Sequence, residues 1–148
     1  MVHYSVQGNH LHLLVEAKDT QALSRGVQGL KIRLARALNR VMERKGKVFA
    51  DRYHARILRT PTETFRCLMY ILKNSRKHAK SHGRTYPPGW VDPYSSAVFF
   101  EPFGGVWVDR CAVFPRQREV SKPRTWLLKV GWELGGRADP NKIPGSLW

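Results

Sequence analysis

Between residues 2 and 16, apolar and polar positions alternate twice, as VHYSVQ and HLHLLVE, around the turn pair Gly8 and Asn9. Period-two alternation on both sides of a short turn predicts a β-hairpin. After residue 20 the period lengthens. Leu23, Val27, Leu30, Leu34, Leu38 and Met42 recur at steps of three and four, the spacing of one helix face. That helix is expected to be capped by Asp19 or Thr20, to run to about Lys45 and to stop at Gly46, with its apolar stripe buried. Alternation returns in RYHARILRT, residues 52–60, where Tyr53, Ala55 and Ile57 alternate with His54, Arg56 and Leu58 and predict a third strand. TPTE, residues 60–63, is a capping box with proline at the first helical position. A second helix is therefore predicted from Pro61 to about Ser81, ending at Gly83, with Phe65, Leu68, Met69 and Leu72 on its core face.

Beyond residue 84 the texture changes. GRTYPPGWVDPYSS is loop-like, FFEPFGG is aromatic with breakers, and PRTWLLKVGWELGG predicts a short terminal helix with Trp126, Leu127, Val130 and Leu134 inward. The chain thus divides into a domain over residues 1–83 and a C-terminal extension, 84–148, that folds back on it. A length of 148 residues suits one domain with a real core.

Charge adds a partner. Lysine and arginine outnumber acids 26 to 11, giving +15 spread along the chain, and such a surface attracts a polyanion, nucleic acid first. Arg33, Arg36, Arg40 and Arg44 line one face of the first helix; a solvated surface explains them alone, and the global charge adds a phosphate-tracking role. No apolar run approaches the ~20 residues that span a bilayer, no amphipathic segment has an aromatic anchoring face, and the first residues are not a signal peptide. Cys67 and Cys111 form no CxxC pair and no disulfide framework, which fits a reducing cytosol.

The chemistry concentrates in two places. In the second predicted strand His10 and His12 share a face, roughly 6.5–7 Å apart at the backbone, with Leu11, Leu13 and Val15 on the other; two imidazoles so placed can converge on one metal ion. In the second helix Tyr70 and Asn74 are four apart, hence neighbours, with Lys73, Arg76, Lys77 and His78 around them. This set suits phosphodiester chemistry: a divalent metal on His10, His12 and the Asn74 oxygen polarises a phosphate, and the Tyr70 hydroxyl attacks it. A free phenol, with a pKa of about 10, needs help from the metal or from cations. Singly, each feature has an ordinary structural explanation: a strand HxH is usually structural, a helical tyrosine usually packs, and His78 reads as an exposed imidazole. Their conjunction carries the assignment. His3, His54 and His82 have no spacing that recommends them.

These blocks resemble a known family. SVQGNHLHLLVE resembles the HUH signature of single-tyrosine transposases, and FADRYHARILRT followed by YILKNSRKHA resembles the later segments, where the catalytic tyrosine precedes an asparagine or glutamine by four. These are the insertion-sequence-200-like transposases and their REP-associated relatives, and the resemblance runs from about Val2 to Ala79. It implies an α+β, ferredoxin-like (RRM-like) antiparallel sheet with helices on one face. It also implies a metal-dependent endonuclease and strand transferase that acts on single-stranded DNA with hairpin ends, through a 5′-phosphotyrosine, using Mg2+ or Mn2+. By position, His10, His12 and Asn74 would be ligands and Tyr70 the nucleophile, with Arg33, Arg36, Arg40, Arg52, Arg56, Lys73, Arg76 and Lys77 on the DNA-binding surface. In some relatives the tyrosine helix serves a neighbouring subunit, so a homodimer is a partner to consider. The family fold places a strand and a helix before the HxH hairpin; here Met1 stands almost at the hairpin, so the expectation is an N-terminally shortened fold with an unpaired edge. Two rival functions use the same residues: a DNA- or RNA-hairpin-binding protein that no longer cuts, and a hydrolase that uses activated water without a covalent step.

Overall fold

The structure, a computed structural model, describes residues 1–103 and 120–145; Cys111 and the glycines that end FFEPFGG lie outside them. The chain forms two compact units, one of Met1–Glu16 with Leu58–Trp148 and one of Ala17–Ile57. Its class is α+β.

In the first unit, β1 (His3–Val6) and β2 (Leu11–Leu14) form the expected antiparallel hairpin, with His3 opposite Leu14 and Ser5 opposite His12. The Gln7 amide closes the turn onto the His10 carbonyl at 2.9 Å. Directly paired residues share a face, so His3, Ser5, His12 and Leu14 lie together. This is the face turned toward α2 (Pro61–Ser81), where buried Leu14 joins Leu68, Met69, Ile71 and Leu72 in the core. The opposite face carries Tyr4, Val6, Leu11 and Leu13, none of them buried. The hairpin therefore places His3, His12 and Leu14, rather than Leu11 and Leu13, against the helix.

The start of α2 follows its capping box with a small shift. Thr60 Oγ1 accepts from the Glu63 amide at 3.2 Å, while the Glu63 carboxylate reaches back one residue further, to the Arg59 amide at 3.0 Å. The helix bends at Lys73, whose backbone is not helical (φ −121°, ψ 15°).

Residues after 84 complete this unit. The Val6 amide donates to the Tyr94 carbonyl at 2.9 Å, Ser5 bridges Ser95, and Ser96 Oγ accepts from the Tyr4 amide at 3.0 Å. Val91, Ala97, Phe100, Phe103 and Trp132 fill the core against α2. The Glu16 carboxylate accepts from the Arg124 amide (2.8 Å), the Thr125 amide (2.7 Å) and the Thr125 hydroxyl (2.6 Å). Partial burial works to raise this carboxyl, but those hydrogen bonds outweigh it and hold it below its ordinary value. The terminal helix departs from expectation. It is one turn of α3 (Trp126–Lys129), a break at Val130 (φ −139°), then a 3-10 segment, Gly131–Gly135. The break changes which side chains point inward: Trp132 is buried, whereas Trp126, Val130 and Leu134 are exposed.

Two further expectations are corrected. Residues 52–60 form no strand, and from residue 52 to 57 every position is exposed. Alternation supplies the side-chain pattern of a strand, but a ladder needs a neighbouring edge, and among the described residues the only sheet is the β1–β2 pair. In the unit Ala17–Ile57, α1 (Thr20–Val41) begins as expected, with Asp19 Oδ1 accepting from the Ala22 amide at 2.7 Å. Its apolar stripe is not buried: Leu23, Val27, Leu30 and Leu34 are half-covered, and Leu38 and Met42 are exposed. One helix and the loop after it, held by Lys31 Nζ to the Asp51 carbonyl (2.8 Å) and Asn39 Nδ2 to the Gly46 carbonyl (2.9 Å), form no second layer for that stripe. No helix among the described residues is long and apolar enough to cross a membrane.

Candidate active site

Hairpin and helix bring the two chemical clusters together. His12 projects from the helix-facing side of β2, and its ring meets the Tyr70 ring edge-on, with centroids 5.2 Å apart. His10, at the mouth of the turn, lies edge-on to His12, and their Nε2 atoms are 3.1 Å apart. His10 Nδ1 is 2.7 Å from Asn9 Oδ1. An amide oxygen only accepts, so Nδ1 donates in this contact. Burial, and then the neighbouring His10 and His78, push the His12 imidazole down to about 4, which keeps it neutral near pH 7.

The residues on α2 are placed unequally. Tyr70 is half-buried, and the Lys77 ammonium sits 4.9 Å from its ring centroid, two turns along the helix. His78, expected near Tyr70 and Asn74, is exposed and comes within 6.2 Å of His10 between ring centroids. Its signal was present in the sequence: Tyr70, Asn74 and His78 repeat every four residues, and such a repeat follows one helix face. Asn74 is fully buried, and neither Oδ1 nor Nδ2 has a hydrogen-bond partner among the described residues. Buried amides are normally satisfied, which makes these two atoms exceptional.

The donor set fits a divalent cation. Two ligand nitrogens at right angles around one ion, each bonded at about 2.1 Å, lie about 3 Å apart, the separation the two imidazoles already have. Among the described residues no group of three or more histidine, cysteine or acidic side chains could hold a metal. A third protein ligand would therefore be an oxygen of another kind, and Asn74 Oδ1 is such an atom without a partner. His10, His12 and Asn74 are thus the residues that could hold a divalent cation.

Two expected DNA contacts are corrected. Lys73 is buried and its Nζ donates to the Asp139 carbonyl at 2.9 Å; burial lowers it to about 8, against the opposing pull of Asp139. Arg76 is buried too, donating to the carbonyls of Tyr86 (3.3 Å), Pro87 (2.8 Å) and Trp90 (2.9 Å). Both cations are committed to the backbone of the C-terminal extension and are not available to phosphates. Arg33, Arg36, Arg40, Arg52 and Arg56 are exposed in the unit Ala17–Ile57.

A protein-family model described as "Transposase IS200 like" matches residues 1–74, half of the 148-residue chain. The matched span holds His10, His12 and Tyr70 and ends on Asn74. No curated protein and no solved structure matches the chain.

Proposed function

The chain belongs to the IS200-like transposase family, and from that premise we propose that it cuts and rejoins single-stranded DNA with Tyr70 as the nucleophile. One observation carries this reading: the edge contact between His12 and Tyr70 unites the imidazole pair of the hairpin with the phenol of α2. The hairpin and α2 are read as part of a ferredoxin-like layer.

Tyr70 Oη attacks the scissile phosphorus opposite the leaving 3′ oxygen. A phenol–phosphorus bond forms and the bond to the 3′ oxygen breaks; the phenol gives up its proton, and the departing strand end takes one to become a 3′-OH. The new ester keeps the energy of the phosphodiester, so a second 3′-OH can reverse the attack and join a different strand. Lys77, above the Tyr70 ring, lays positive charge where the phosphate oxygens gather. His10, His12 and Asn74 would hold Mg2+ or Mn2+, which when bound supplies Lewis-acid polarisation of the phosphate and stabilisation of the leaving oxygen. Burial of Asn74 and the hydrogen bond from His10 to Asn9 fix the donors before substrate arrives.

The test uses the full chain, Mn2+ and single strands carrying hairpins, labelled at either end. A 5′-phosphotyrosine leaves the 3′-labelled piece on the protein through denaturing electrophoresis, while the 5′-labelled piece is released. Tyr70→Phe is expected to abolish the adduct, and His12→Ala to reduce it by at least 100-fold. Equal adduct yields from wild type and Tyr70→Phe would remove the tyrosine from the mechanism.

A further inference from the structure

We propose that the stacked rings of Tyr86 and Trp90 form a platform for one unpaired nucleobase of a bound DNA strand, apart from the Tyr70 site. The inference rests on the single-stranded DNA reading above. The two rings lie 6° from parallel, with centroids 3.6 Å apart. Aromatic side chains left to themselves favour offset or edge-on arrangements over such a sandwich. The His12–Tyr70, His3–Phe100 and Phe100–Phe103 pairs follow that preference at 81–82°.

The loop imposes the sandwich. Arg76 gathers the carbonyls of Tyr86, Pro87 and Trp90 from beneath, and its guanidinium stands 5.9 Å from the Trp90 ring centroid. Gly89 turns the chain at φ 74° and donates its amide to Asn141 Oδ1 at 2.6 Å. Two prolines and this bonding leave the loop little freedom to rearrange. Trp90 is half-covered, whereas Tyr86 is 38% exposed although one of its faces lies on Trp90. Its other face and its edge are therefore what solvent meets.

A third flat ring continues this stack at the same spacing. Bases along one strand repeat at about 3.4 Å, and stacking on an aromatic side chain is the sequence-tolerant way to hold one. Charge selects a nucleic acid over other planar ligands. Residues 64–91 contain six lysines and arginines and not one acidic residue. Of the six, Lys73 and Arg76 are held by backbone carbonyls, while Lys80, in the last turn of α2, and Arg84 beyond it are exposed, and the Arg84 amide donates to the Ala79 carbonyl at 2.8 Å.

The experiment uses the full chain and single-stranded oligonucleotides with 2-aminopurine at successive positions, because stacking quenches that base. Wild type is expected to quench one position selectively. Tyr86→Ala is expected to restore its emission and weaken binding about 5- to 100-fold, and Tyr86→Phe, which keeps the ring, to behave as wild type. At saturating strand Tyr86→Ala forms the Tyr70 adduct at the wild-type rate, so the loss appears in KM and not in kcat. Tyr86→Leu repeats the measurement with an apolar side chain that lacks an aromatic face, in case alanine loosens the loop. Wild-type quenching and affinity in both the alanine and leucine variants overturns the platform. Selective quenching without any adduct sinks the cleavage reading and leaves the platform standing; an adduct without selective quenching does the reverse.

Discussion

Replacing Arg76 by lysine keeps the charge and removes the geometry, which makes it the sharpest probe of how α2 is held. The guanidinium spans three carbonyls, two of them at 2.8 and 2.9 Å and the third at 3.3 Å. An ammonium is a compact donor on a flexible stem and cannot reproduce that fork. Allowing lysine to recover one of the two short bonds, the loss is one hydrogen bond from a charged donor, about 1.5–3 kcal/mol, plus part of the penalty for a carbonyl left unpaired in a buried place. The sum is about 2–4 kcal/mol, or roughly 5–15 °C in Tm for a chain of this size. Urea unfolding followed by far-UV circular dichroism and by tryptophan emission reads it directly. DNA affinity against salt provides the control. Removing a phosphate-binding cation from the surface lowers the salt slope by about one and leaves stability alone. If Arg76→Lys melts like wild type while Arg76→Gln, which removes the charge, lowers the salt slope, the cation belongs to the DNA surface and its assignment to the backbone clasp is wrong.

Lys73 gives a pH signature. Burial holds it at about 8, against an ordinary value of 10.5, so between those limits the unfolded chain binds more protons than the folded one and stability rises with pH. The urea midpoint of wild type should gain on that of Lys73→Met between pH 8 and 10.5; a constant difference would place the amine in solvent. Gly135→Ala tests the docking of the terminal 3-10 segment. A Cβ there would stand 2.5 Å from the Phe65 Cβ and 2.7 Å from the Pro61 carbonyl oxygen, neither at the end of a flexible chain. The expected cost is about 1–3 kcal/mol, and an unchanged melting curve would show that the segment does not sit on the first turn of α2.

Local signals made the helices legible. Asp19 and Thr60 cap where a short polar acceptor precedes an apolar period, and the hairpin register follows from alternation on both sides of Gly8 and Asn9. What stayed hidden depends on long-range partners. Residues 52–60 have the texture of a strand but meet no edge. Lys73 and Arg76 look like neighbours of Lys77 in a basic run, yet carbonyls 66 and 10–14 residues away draw them inside. No local pattern announces a carbonyl acceptor, since every residue carries one. The His10–His12 pair and Tyr70 were readable from spacing, while the burial of Asn74 was not, because an amide four residues from a tyrosine reads equally well as surface.

The bridge from Ser95 to Ser5 bears on how this family member can be handled. The portion that matches the family stops at Asn74, which invites trimming to the matched span alone. Such a cut would strip β1 of its neighbour at Tyr94, take the acceptor from buried Lys73, remove Arg76 with its clasp and delete half the apolar interior. The shorter fragment should then aggregate through its raw sheet margin instead of reporting on catalysis, and any loss of cutting it showed would say nothing about Tyr70.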